Sequence, residues 1–231
     1  MSLLEALPIG LLGALLGLDV VSFPQAMVSR PIVAATLAGA FVGNPPAGLL
    51  IGVVLEMIVA LTGIGTAVAL YPVVRRQGQA RAVGFVASRT LEAATIYVGI
   101  ASLMSIVSLR RAGAGTGALV VAQGLAAQYQ WTFFFAQSFI PAINGVLLGT
   151  LMYQSRLVPR WLPTLGLIGA ALLVVAWFAV LVGLIPAVGA VAGLAAVPIA
   201  VWEFSLGVYL TFWGFKDSSL IAGYDSRLTS G

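Results

Sequence analysis

Apolar residues along the chain fall into long, nearly unbroken blocks: Gly48 to Tyr71, Ala82 to Leu109, Trp131 to Tyr153, Thr164 to Leu184 and Val188 to Phe212. Each reaches the ~20 residues that a helix needs to cross hydrocarbon. Membrane-spanning strands would alternate polar and apolar residues over ~10-residue segments, and that alternation is missing. In lipid the backbone must bond to itself, so these blocks are predicted to be transmembrane helices. Two shorter apolar stretches precede them, Leu7 to Leu18 and Pro31 to Val42, separated by a polar patch with Asp19, Ser22, Gln25, Ser29 and Arg30. They read as tilted or extended spans, a re-entrant hairpin, or helices buried among the others. Ala118 to Ala127 is too short to cross and follows the flexible Ala112-Gly-Ala-Gly-Thr-Gly117 run, which assigns it to an interfacial loop.

Composition points the same way. Of 231 residues, 61% are apolar and 8% charged, with a mean hydropathy of +1.09, whereas a soluble domain carries roughly 25% charged residues. The fold class is therefore an all-α polytopic bundle of about seven helices with the lipid bilayer as its solvent. The net charge of +4 is dispersed in short loops, and no run of five or more like charges exists, so nucleic acid is not an expected partner. With the Val74 to Arg81 loop placed in the cytoplasm, that side holds Arg75, Arg76, Arg81, Arg156, Arg160, Lys216 and Arg227, and Arg30 as well if both short segments cross. The other holds Arg110 and Arg111, and Arg89 lies within the bilayer. The excess of inner cations orients the N-terminus outward and the C-terminus inward.

The chain has no Cys and no His, which removes disulfides, thiolate nucleophiles, Cys- or His-ligated zinc, bis-His haem and a Ser-His-Asp triad. Ser22, Ser29 and Ser88 have no imidazole base, and no carboxylates stand at metal-ligand spacing. No cofactor, no metal and no enzymatic activity are expected. The opening Met-Ser-Leu-Leu-Glu lacks the basic region of a secretory signal and reads as mature sequence.

Small residues recur four apart at Gly13 and Gly17, Gly39 and Gly43, Gly48 and Gly52, Gly145 and Gly149, and Gly189 and Gly193. Such pairs let helix backbones approach, either within one chain or across a homo-oligomer face. Trp131, Trp161, Trp202, Tyr71, Tyr153 and Tyr209 lie near predicted helix ends and read as headgroup anchors.

Charge inside hydrocarbon costs about 2.5–3.5 kcal/mol per residue on insertion scales, so the few ionisable groups within spans are the natural candidates for a site. They are Glu56, Arg89, Glu92 and Glu203, with Asn144 and Gln137 as polar neighbours. Arg89 and Glu92 stand three apart on one face and can pair. Arg89 bridging Glu92 and Glu203 would simply tie two helices together. Yet three carboxylates share one arginine, so one must be protonated, hydrated or matched by a bound cation. Glu56, near mid-membrane, is the one left over: a proton-coupling or substrate group, or a neutral acid hydrogen-bonded to Asn144. The loop with Arg156, Arg160 and Trp161 could hold an anionic lipid headgroup; orientation signalling explains the same residues.

Two family resemblances appear. Gly13-Ala-Leu-Leu-Gly-Leu-Asp, Ser29-Arg-Pro-Ile-Val, Gly39-Ala-Phe-Val-Gly-Asn and Gly48-Leu-Leu-Ile-Gly-Val-Val-Leu-Glu56 resemble the start of the membrane IIC component of mannose, fructose and sorbose phosphotransferase systems. That likeness implies a sugar path near Asp19, Gln25, Arg30 and Glu56, with a IID membrane subunit and cytoplasmic phosphoryl carriers as partners. Arg30, followed by Pro31, equally suits an orientation charge before a first helical turn. From about Leu55 to Phe215, Gly63-Ile-Gly-Thr-Ala-Val-Ala-Leu-Tyr-Pro72, Ser88-Arg-Thr-Leu-Glu-Ala93, Tyr153-Gln-Ser-Arg-Leu-Val-Pro-Arg-Trp161, Leu165-Gly-Leu-Ile-Gly169 and Pro198-Ile-Ala-Val-Trp-Glu203 resemble an uncharacterised bacterial membrane-protein family, the domain of unknown function numbered four-three-eight-six. The two likenesses divide the chain into residues 1–54, 55–215 and a polar tail, 216–231. A natural fusion, an engineered chimera and chance similarity all fit a junction near Leu55. The expectation is a multi-spanning protein of the bacterial inner membrane with unassigned activity; the alternatives are a permease subunit for a small polar solute and a structural membrane protein.

Overall fold

The computed structural model describes residues 31–186 and 190–216, and every regular element within them is helical. In chain order these are α1 (Pro31–Phe41), α2 (Pro45–Val74), α3 (Gln79–Arg111), α4 (Gly117–Phe134), a π-helical turn (Phe135–Phe139), α5 (Ile140–Ser155), α6 (Trp161–Leu181) and α7 (Ala190–Phe212). The stretches Pro45–Val74, Gln79–Arg111, Trp161–Leu181 and Val191–Phe212 are each long and apolar enough to cross a membrane. The all-helical membrane class read from the apolar blocks is thus the observed one. The Leu7 to Leu18 segment, Gly13, Gly17, Gly189 and the tail beyond Lys216 lie outside the described residues.

One expectation is overturned. Ala118 to Ala127 is not a loop but the first half of α4, and α4 runs through the π turn into α5 as one helical stretch. Gly117 opens this helix rather than interrupting it, and a helix need not stop where the hydrocarbon does. The block read as a single span, Trp131 to Tyr153, is accordingly the later part of a longer helix, and it carries a five-residue widened turn. Such turns insert an extra residue into the ladder and frequently mark functional sites.

The chain forms two compact units. In the unit that holds Arg30–Ala69 and Val86–Pro141, α1 folds back on the start of α2 through a turn at Gly43, whose φ of 76° suits glycine. The Asn44 side chain accepts a hydrogen bond from the Ala47 amide at 3.2 Å and caps α2. Glycines bring the two backbones together: a Cβ on Gly39 would stand 2.8 Å from Gly48 Cα, and one on Gly52 2.5 Å from Ile32 Cα. Further along, Ala60 of α2, Ala93, Ile96 and Ile100 of α3 and Ala136 of the π turn form an apolar core.

In the unit that holds Leu70–Phe85 and Ala142–Gly231, α5, α6 and α7 pack through Gly145, Gly149, Gly166 and Gly169. A Cβ on Gly169 would meet the Ile199 amide nitrogen at 2.5 Å, and one on Gly145 would meet Ile199 Cδ1 at 2.8 Å. The small-residue pairs Gly48/Gly52 and Gly145/Gly149 therefore serve contacts within this chain, where dispersion between close backbones replaces the hydrophobic drive that lipid does not supply.

Candidate functional site

On α2 a narrow buried stripe recurs every four residues, Gly48, Gly52, Glu56 and Ala60, while Leu50, Ile51, Val54, Leu55 and Ile58 around it are exposed. Glu56 is 1% exposed. It stands eleven residues from Pro45, about 17 Å along the axis at 1.5 Å per residue, so it lies well inside a helix long enough to cross a bilayer. A carboxylate thus occupies a line otherwise made of Gly and Ala, where a neighbouring helix comes close.

Arg89 and Glu92 form an ion pair at 3.0 Å, with side chains 15% and 13% exposed. Gly63 lies alongside the arginine stem, where a Cβ would be in ordinary contact with Arg89 Cδ at 4.0 Å. Glu56 is seven residues from Gly63, about 10 Å along α2, and Ala60 with its apolar neighbours on α3 occupies the level between. The apolar cluster around Ala60 thus stands between the levels of α2 that carry Glu56 and face the Arg89 stem. Ser88 is buried beside the pair, and its Oγ has no hydrogen-bond partner among the described residues. Tyr129 of α4 is also buried and lies against Gly99 of α3, where a Cβ would be 3.3 Å from Tyr129 Cδ2. Tyr129 was not among the residues singled out above; its position opposite a glycine on the neighbouring helix becomes visible only once α4 is known to be a helix.

In the other unit Asn144 is buried. Glu203 lies on the exposed face of α7, so it is no buried counterpart of Glu56. Glu56 and Asn144 belong to different units, as do Arg89 and Glu203. Trp202 corrects a second expectation: it is not a headgroup anchor but 1% exposed, with its indole packed on Gly166. A tryptophan ten residues before the end of α7 lies about 15 Å from that end, too deep for a headgroup-level ring. Trp131, Tyr153 and Trp161 remain exposed, as anchors require. Arg156 follows α5 with φ of 56°, Leu157 and Val158 behind it are buried, and the Arg160 guanidinium sits 5.1 Å above the Tyr153 ring. Asp19, Gln25 and Arg30 lie outside the described residues, as does the side chain of Gln137.

A family described as a domain of unknown function, DUF4386, matches residues 11–214. The chain belongs to that family. The DUF4386 match passes through Leu55 without a break and takes in most of the residues that resemble the phosphotransferase IIC component. α2, too, is continuous through Leu55. No curated protein and no solved structure matches the chain, so the IIC likeness has no support beyond the motifs that suggested it. DUF4386 membership fits a membrane protein of unassigned activity, consistent with the apolar helices.

Proposed function

We propose that this DUF4386 protein is a multi-pass protein of the bacterial inner membrane that carries a small polar solute, with Glu56 as the group that takes up and releases a proton or contacts the solute. The observation that carries the reading is a fully buried carboxylate deep in a membrane-length helix, on a stripe of glycine and alanine that admits close approach. An acid retained in hydrocarbon is costly and is most readily explained by work done there. The alternative, a structural membrane protein, treats Glu56 as a hydrogen-bonding peg alone.

Reconstitution into liposomes distinguishes the two. Purified protein is tested with a panel of labelled sugars and amino acids and with an internal pH dye, wild type against Glu56→Gln. The carrier reading expects solute-dependent flux in the wild type and at least a tenfold loss in Glu56→Gln, which keeps shape and hydrogen bonding but cannot ionise. Equal flux in the two proteins, or no wild-type flux across the panel, removes it.

A further inference from the structure

The segment between α5 and α6 carries a cluster of cations that the Glu56 site does not use. Arg156 occupies a left-handed backbone conformation, φ 56°, just past the end of α5. That position after a helix ordinarily goes to glycine, because a Cβ there is strained. The same segment is pinned: Leu157 and Val158 are buried, and the Leu157 carbonyl accepts a hydrogen bond from the Lys216 amide at 2.8 Å. That bond brings Lys216, beyond the end of α7, alongside the residue that follows Arg156. Arg160, at the other end of the segment, has its guanidinium against the Tyr153 ring at 5.1 Å. A cation over a ring face keeps its N–H donors for other partners. Trp161, 60% exposed, follows at the first turn of α6.

Two cations on the turn and a third whose backbone is bonded to it thus share one place in the fold, and the side chains of Arg156, Arg160 and Lys216 make no hydrogen bond or ion pair with the described residues. The partner that fits is anionic, planar-forked or tetrahedral, and located at the depth where exposed tyrosine and tryptophan rings reside. The N-terminal end of the 21-residue α6 adds a favourable dipole to the same place.

We propose that Arg156, Arg160 and Lys216 hold the phosphate of an anionic phospholipid headgroup, with Tyr153 and Trp161 flanking its glycerol region. The proposal does not depend on the carrier reading of Glu56. It accounts for an arginine where glycine would be easier for the backbone.

Native mass spectrometry of the detergent-purified protein, titrated with phosphatidylglycerol or phosphatidylcholine, tests it. The wild type should retain phosphatidylglycerol preferentially, and Arg156→Gly, Arg160→Gln and Lys216→Gln should each weaken retention about fivefold, the usual worth of one cation at an anionic surface. Arg156→Gly should melt at or above the wild-type temperature, because the substitution relieves the backbone. Equal retention of both lipids by the wild type, or unchanged phosphatidylglycerol retention in the triple variant, overturns the proposal. Displacement of the lipid by millimolar inorganic phosphate also overturns it, assigning the cations to a soluble anion instead.

Discussion

Trp202 of α7 packs its indole directly on the backbone of Gly166 of α6, and the pair sits one turn from an equally close meeting of Ile199 with Gly169. Both contacts exist only because two residues of α6 have no side chain.

Gly166→Ala should therefore overpack the α5, α6 and α7 group and cost about 1–3 kcal/mol, seen as a melting temperature several degrees lower in detergent. Gly124 of α4 is helical with nothing within 4 Å of its absent Cβ. Gly124→Ala should be neutral or stabilising by up to about 1 kcal/mol. Matching losses in the two variants would show that glycine acts here through something other than close packing.

Arg89→Met should cost about 1–3 kcal/mol by leaving the Glu92 carboxylate half-buried without its cation. Adding Glu92→Gln in the same chain should recover part of that loss, since the pair is then removed together. Strictly additive losses in thermal unfolding would mean that the 3.0 Å contact contributes no coupling.

Deleting one residue from the widened turn Phe135–Phe139 should restore an ordinary α-helical ladder. Ala136 of that turn belongs to the apolar core with Ala60, Ala93, Ile96 and Ile100, so a deletion that displaces it should make the variant express poorly or melt markedly lower. Wild-type stability would mean that the widened turn is dispensable.

The proposed orientation can be read chemically because the chain has no cysteine of its own. In intact cells a membrane-impermeant maleimide should label Ala114→Cys, in the turn between α3 and α4. It should spare Gln79→Cys, at the start of α3, until the membrane is opened. The reverse pattern inverts the topology.

Helix identity was legible because lipid-facing segments are apolar on every side, and length alone separates them from strands. The same feature hides which face is buried. Glu203 and Glu56 look alike in sequence, yet only Glu56 is enclosed; the available signal was the four-residue recurrence of Gly48, Gly52 and Ala60 around it. Trp202 was misplaced for the related reason that ring position along a helix does not reveal ring direction. The start of α4 was missed because a length criterion for crossing lipid says nothing about helices that extend past it, and the widened turn at Phe135–Phe139 has no glycine or proline to announce it.

α3 has 33 residues, about 50 Å of helix, whereas the hydrocarbon layer is ~30 Å deep. It ends in Arg110 and Arg111, and the residues 112–117 that follow are all exposed. At ordinary tilts a spanning helix of that length outruns the lipid, and the arginine pair with the exposed turn after it marks the end suited to reach water. An epitope inserted at Ala114 should thus be displayed without disturbing the packed helices, giving antibodies and fiducials a purchase on a molecule otherwise wrapped in detergent.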